Sequence, residues 1–257
     1  MTEAPVAVEA ITFDYWNTLV TEERGHLRGR RLTAWAGIFE DTGFALERQH
    51  LEAAFDATWQ AYVSSWQANQ QFLAAQAAVH CIEQLGVEVP DDVHAALVEA
   101  FTNAGEGAEL HLTPHVGEVV KDLVGRGVRL GIVCDVGFTP SHVLRAHLEG
   151  AGLLDYFSAW AFSDEVGVYK PERQIFDHVL GELGGVAPDQ VAHVGDLRRT
   201  DVAGAREMGM VSVRYAGVFD DSPEGAERSG IEVSDPSAPD ADHVITDHRE
   251  LPEVLGL

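Results

Sequence analysis

Residues 190–215 read QVAHVGDLRRTDVAGAREMGMVSVRY. The apolar run VAHV stops at Gly195 and Asp196, TDVAGAREMG has helical spacing and ends at Gly209, and MVSVRY returns to a strand-like pattern. Strand, helix and strand in that order form the unit of a parallel sheet covered by helices. Asp196 falls where such a strand ends, and Asp201 stands five residues on, at the start of the helix.

The same alternation extends in both directions. VRLGIVCD (128–135) reads as a strand ending at Cys134 and Asp135, preceded by a helix over 116–124. YFSAWAFSD (156–164) supplies a short strand, and KPERQIFDHVLGELG (170–184) a helix with Ile175, Phe176, Val179, Leu180 and Leu183 inward. DHVITDHRELPEVL (242–255) gives a last short strand and helix, and residues 216–241 read as an acidic, solvated loop. At the N-terminal side, residues 6–13 form an apolar, β-compatible run that stops at Asp14.

One segment breaks the alternation. Four helical faces follow in succession: Leu27, Arg31, Trp35, Ile38; Leu51, Phe55, Trp59, Tyr62, Trp66; Phe72, Ala75, Val79, Ile82; and Val93, Leu97, Ala100, Phe101. Four amphipathic helices should pack as a small bundle. The expected organisation is therefore a Rossmann-like α/β core, residues 1–19 and 111–257, with an inserted helical cap at 20–110.

Composition narrows the function classes. The chain has 257 residues, with 42 acids against 17 bases and a formal charge of −25. Such a surface repels nucleic-acid phosphates and anionic membranes. No apolar run is long enough to span a bilayer, and the N-terminal residues lack the pattern of a secretory signal. Two isolated cysteines, Cys81 and Cys134, suit a reducing compartment, so the expected location is cytoplasmic. The expected partner is a small molecule, with the chain a monomer or homodimer.

Acidic or polar residues fall just beyond three apolar strands: Asp14, Cys134 with Asp135, and Asp196. The carboxyl ends of strands in an open α/β sheet share one crevice. A single strand-end Asp is usually a cap or turn former. Three such positions, together with Lys170 in the loop before a helix, propose a compact site of carboxylates and one ammonium. A carboxylate can attack phosphorus and form an acyl phosphate, provided a divalent cation and donors offset the repulsion between anions. Oxygen ligands suit Mg²⁺. Lys170 could hold Asp14 ionised, and Asp201 could orient Lys170 or cap its helix.

These residues resemble the haloacid dehalogenase-like hydrolase superfamily, in its group with a helical cap after the first strand. FDYWNTL (13–19) is similar to the first family motif, LGIVCD (130–135) to the second, Lys170 in GVYKPERQIF to the third, and VGDLRRTDVAGAREMGM (194–210) to the fourth. The resemblance implies Asp14 as nucleophile, and Mg²⁺ held by Asp14, the Trp16 backbone carbonyl and Asp196. It further implies charge support from Lys170 and Asp201, Thr18 assisting the turn, and substrate contacts from Thr18, Trp16, Cys134 and Asp135. Cys134 takes the place of the usual hydroxyl residue, and a thiol is the weaker donor.

Trp16 is the larger departure. Phosphatases of the family usually carry a second Asp there, as the acid that protonates the leaving oxygen. Losing that assistance costs about two to four powers of ten in rate. A good leaving group, a cap residue such as His26 or Glu23, or a slow or non-catalytic site would each account for the indole. The halide-cleaving relatives place an aromatic residue at this position and need no metal. Their substrate carboxylate would require a clamp, for which Arg30 and Arg31 are the candidates, and Asp196 would repel it. The expected activity is Mg²⁺-dependent phosphohydrolysis. Metal-independent dehalogenation and a non-catalytic interaction role stand as alternatives.

Overall fold

The computed structural model describes residues 7–44, 46–222, 224–225 and 239–257. The described residues divide between two compact units, those within 1–21, 111–135 and 148–257 and those within 22–110 and 136–147.

The first unit is built on a six-stranded sheet. Its strands are β1 (Ala10–Phe13), β4 (Arg129–Cys134), β5 (Ala159–Phe162), β6 (Val191–Gly195), β7 (Val211–Tyr215) and β8 (His243–Ile245). Their order is β5-β4-β1-β6-β7-β8, and every pair given a register is parallel. β1 and β6 are buried along their whole length, which is why they read as unbroken apolar runs rather than alternating ones. Ile175, Phe176, Val179 and Leu180 of α8 (Arg173–Glu182) and Ala205 and Met208 of α9 (Ala203–Met208) pack with Ala10, Val133, Ala159 and Val191 of the strands.

β1 is shorter than the expected run over 6–13, and residue 6 lies outside the described residues. Of the expected loop over 216–241, residues 223 and 226–238 lie outside them too. Both described flanks of that segment are tied to β7. The Arg214 guanidinium donates to Asp220 at 2.8 Å and to both oxygens of Asp240 at 2.7 and 2.9 Å.

A ribbon of β2 (Val20–Glu22) and β3 (Leu110–Leu112) carries the chain into and out of the helical insertion. Neither three-residue strand was expected, because so short a segment has too few residues to show a period. The second unit contains α1 (His26–Asp41), α2 (Arg48–Gln67), α3 (Ala74–Leu85) and α4 (Asp91–Thr102). Its buried faces differ from the expected ones in detail. Phe39 is buried in place of Ile38, Thr58 in place of Trp59, and Ala74, Ala77, Ala78 and Cys81 in place of Phe72, Ala75 and Val79. Trp59 is 45 % exposed, since the buried step along α2 runs through Leu51, Ala54, Phe55, Thr58 and Tyr62.

Arg31 is buried in this unit, its guanidinium donating to the carbonyls of Phe101 (3.1 Å) and Phe138 (2.5 Å) and stacking over both rings. Arg30 donates to the carbonyls of Ala104 (2.7 Å) and Glu106 (2.8 Å). Both side chains hold backbone segments together, so their guanidinium groups are engaged with carbonyls of the helical unit. Among the described residues no helix is long and apolar enough to cross a membrane.

Candidate active site

The site gathers where β1, β4 and β6 end. Asp14 follows β1 directly, its N–H still donating to Val194 of β6 at 2.8 Å, so the sheet ladder fixes the backbone that presents the carboxylate. The chain then turns sharply: Leu19 and Val20 both donate to the Tyr15 carbonyl, at 2.9 Å each, and Asn17 donates to Val20 at 2.8 Å. Asn17 sits at φ 56°, a left-handed conformation that Asn adopts more readily than most residues. Its amide donates to Asp196 Oδ2 at 3.2 Å and so links the first turn to the carboxylate after β6.

Beyond β6 the chain passes Asp196 and enters a wide helical turn, Arg198–Val202, before α9. Asp201 on this turn folds back over Gly195. A Cβ at Gly195 would lie 2.2 Å from Asp201 Cγ, so no side chain fits there.

Lys170 joins the parts. It is 2 % exposed, and its Nζ donates to Asp14 Oδ1 (2.5 Å), Asp201 Oδ1 (2.7 Å) and the Val133 carbonyl (3.2 Å). Its backbone N–H donates to Asp135 Oδ1 at 2.9 Å, so Asp135 anchors the lysine loop to the end of β4. Cys134 is fully buried, and its thiol is pushed up by burial and by the Asp14 charge.

Asp14, Asp196 and Asp201 can each bring one oxygen within 4.8 Å of the others, a cluster able to coordinate a divalent metal. Their protonation differs because their donors differ. Burial pushes Asp14 up to about 7 despite Lys170, and raises Asp196 well above the usual range with the Asp14 charge adding to it. Burial acts the same way on Asp201, but Lys170 and His193 outweigh it and hold that carboxyl below the usual range. Asp201 Oδ1 accepts from Lys170 and from His193 Nε2 (3.1 Å), and Oδ2 accepts from the Leu197 N–H (3.0 Å) and the Thr200 hydroxyl (3.3 Å). A carboxylate offers about four lone-pair sites, so all of them are taken.

Asp14, Lys170, Asp196 and Asp201 thus converge, with Cys134 and Asp135 at their margin. Trp16 is half-buried and T-shaped against Tyr15, with centroids 5.1 Å apart. The Thr18 hydroxyl is buried with no partner among the described residues, while the Thr18 carbonyl accepts from Thr113 Oγ1 (2.6 Å) and His248 Nε2 (2.9 Å). Asn17, Thr12 and His193 were not among the expected site residues, although His193 lies three positions before Asp196 in the stretch that carried the fold.

Residues 8–209 match the family model described as haloacid dehalogenase-like hydrolase. The chain belongs to the haloacid dehalogenase-like hydrolases. Among curated proteins it is 35 % identical over 130 residues to the pyrimidine 5'-nucleotidase YjjG of Escherichia coli, covering 50 % of this chain and 55 % of that one. The chain spans about half the length of the curated relatives it first matches. Among solved structures, the HAD-hydrolase YfnB of Bacillus subtilis superposes with TM-score 0.66 at 16 % identity, covering 98 % of this chain and 100 % of that one. The 2-haloacid dehalogenase of Pseudomonas syringae gives TM-score 0.65 at 20 % identity, covering 97 % and 98 %. At these identities the two structures establish the fold alone: a Rossmann-like sheet with a helical cap inserted after the first core strand.

Proposed function

We propose that this hydrolase is a Mg²⁺-dependent phosphohydrolase of a small phosphorylated molecule, with Asp14 as nucleophile. The observation that carries the reading is three buried carboxylates around one buried ammonium. With all groups ionised, three negative charges face one positive charge, and the remaining two match a dication. The donor set fits as well, since carboxylate oxygens are the ligands Mg²⁺ prefers. Asp14, Asp196 and the Trp16 carbonyl would hold the ion, while Asp201, its acceptor sites filled, holds Lys170. When bound, the ion supplies charge neutralisation for an anionic substrate and polarises its phosphoryl oxygens.

The chain's own residues supply the rest. Asp14 attacks phosphorus, the new bond to its carboxylate forming as the ester bond to the leaving oxygen breaks. Water then attacks the same phosphorus, releases phosphate and restores Asp14. Lys170 keeps Asp14 anionic for the first step and Asp201 holds Lys170 in place. The Trp16 indole N–H is far too weak an acid to protonate a leaving oxygen, so the reading favours substrates whose departing oxygen is already a stable anion. The nucleotidase name of the relative supports phosphoryl chemistry. We keep residues 1–19 with 111–257 as the catalytic core and 20–110 as the cap.

Trp16 also favours a second reading, metal-independent dehalogenation. Against it, Arg30 and Arg31 are committed to backbone carbonyls rather than left for a substrate carboxylate. A panel of phosphate esters and 2-haloacids, assayed with and without Mg²⁺, separates the two. Phosphate release that needs Mg²⁺ and disappears in Asp14→Asn supports the proposal. Halide release in chelator overturns it, and inactivity on the whole panel without Mg²⁺ binding favours a non-catalytic role.

A further inference from the structure

We propose that His193 and Thr12 form a positioning relay that orients the Asp201 carboxylate and, through it, the Lys170 ammonium. The inference deepens the reading in which Asp14 is the nucleophile, and it rests on a set of contacts inside the sheet.

In the parallel register of β1 with β6, Thr12 is the partner of His193. Partner residues of adjacent strands project to the same side of the sheet. Thr12 Oγ1 accordingly lies 2.9 Å from His193 Nδ1, and the opposite ring nitrogen, Nε2, lies 3.1 Å from Asp201 Oδ1. The ring is buried, with Phe176 edge-on at 5.2 Å limiting its rotation.

The direction of each hydrogen bond follows from the chemistry of its partners. Ionised Asp201 only accepts, so His193 Nε2 carries the proton. A neutral ring with a proton on Nε2 leaves Nδ1 as an acceptor, and Thr12 Oγ1–H is the donor that meets it. The other acceptor of the Thr12 hydroxyl, the Ala192 carbonyl, is longer at 3.5 Å. The chain of donors therefore runs from Thr12 to His193 to Asp201, which receives Lys170 at the same oxygen.

Its consequence is a carboxylate with no freedom to turn. The His193 and Lys170 donors hold Oδ1, while the Leu197 N–H and Thr200 hydroxyl hold Oδ2. Without His193, one acceptor site on Oδ1 opens. Asp201 can then rotate or compete for the metal, and Lys170 loses its fixed position between Asp201 and Asp14. His193 is a positioning residue: it acts on the nucleophile through two other side chains.

Three measurements test the relay. Long-range proton–nitrogen NMR of the wild-type protein should show His193 neutral with its proton on Nε2. A proton on Nδ1 overturns the proposal whether or not a substrate has been found. Mg²⁺ titration calorimetry should show affinity lowered about tenfold in His193→Leu, because Lys170 loses its fixed position against the ligand Asp14, with most of the loss recovered in His193→Gln. Equal affinities in folded wild type and His193→Leu overturn it. On a hydrolysed phosphate ester, His193→Leu and Thr12→Val should each lower kcat with KM nearly unchanged. The double variant should lose little beyond the worse single one, because both break one chain. Additive losses, or losses confined to KM, overturn it. The NMR and calorimetric results stand if no ester is turned over, so failure of the proposed activity and failure of the relay are distinguishable.

Discussion

Replacing Lys170 with Met removes one ammonium and leaves both of its carboxylate partners in place. Lys170 Nζ lies 2.5 Å from Asp14 and 2.7 Å from Asp201, and all three side chains are almost fully buried. Removing one partner of a buried ion pair costs about 3–5 kcal/mol. The two pairs share a single cation, so their costs overlap instead of adding. Asp14, already pushed up to about 7 by burial, escapes part of the cost by taking up a proton. We therefore expect a loss of about 3 kcal/mol near pH 8, where that proton is scarce, and less near pH 6. In a chain of this size such a loss lowers Tm by roughly 6–12 °C. Thermal melts in chelator, followed by circular dichroism, measure the shift. Added Mg²⁺ should restore part of it by binding the folded state. A variant that melts within about 1 °C of wild type near pH 8 would refute the claim that this ammonium neutralises the cluster.

Three further predictions follow from the same geometry. Asn17→Gly keeps the left-handed φ accessible but removes the donor 3.2 Å from Asp196, so Mg²⁺ should bind about tenfold more weakly by calorimetry. Asp14 and Asp196 have folded pKa values raised above the ordinary carboxylate value, so the metal-free fold holds more protons than the unfolded chain. The stability Asp14 contributes is complete below about pH 4 and is lost as pH rises through about 7, with Asp196 adding a loss in the same direction, and Mg²⁺ affinity should climb as Asp14 ionises. A pH series of melts and titrations checks both slopes, and a flat affinity contradicts the assignment. Trp16→Asp restores a carboxyl group at the half-buried position of the indole. It should speed hydrolysis of alkyl phosphates about a hundredfold in steady-state assays, with little effect on nitrophenyl phosphate, whose leaving group needs no proton.

The parts of the site that were legible in the sequence are those that mark ends. Asp14, Asp135 and Asp196 each follow an apolar run, and an acid at a strand end can be read without knowing which strands are neighbours. Lys170 stood out for its position in the loop before a helix. Thr12 and His193 sit inside strands, where a polar residue reads as part of the run. Their meaning comes from the pairing of β1 with β6, a register between residues 181 positions apart that no local pattern encodes. Asn17 went unread, because its role comes from a left-handed turn whose amide reaches Asp196, 179 positions away. In the helical unit the periodicity identified the helices and most of each buried face, including Leu27, Trp35, Leu51, Phe55, Tyr62, Val93, Leu97 and Phe101, but misplaced Ile38, Trp59 and most of the face of α3. Small residues such as Ala77 and Ala78 fill the close contacts, while Trp59 is left partly in solvent.

Covalent chemistry at Asp14 is the central claim, and one trapping experiment addresses it. The protein is mixed with acetyl phosphate or nitrophenyl phosphate, quenched in acid during turnover, digested at low pH and examined by mass spectrometry. The account predicts a phosphoryl group on the peptide containing Asp14, dependent on Mg²⁺ and missing from Asp14→Asn. Steady phosphate release with that peptide unmodified, or with the phosphoryl group on a different residue, would contradict it.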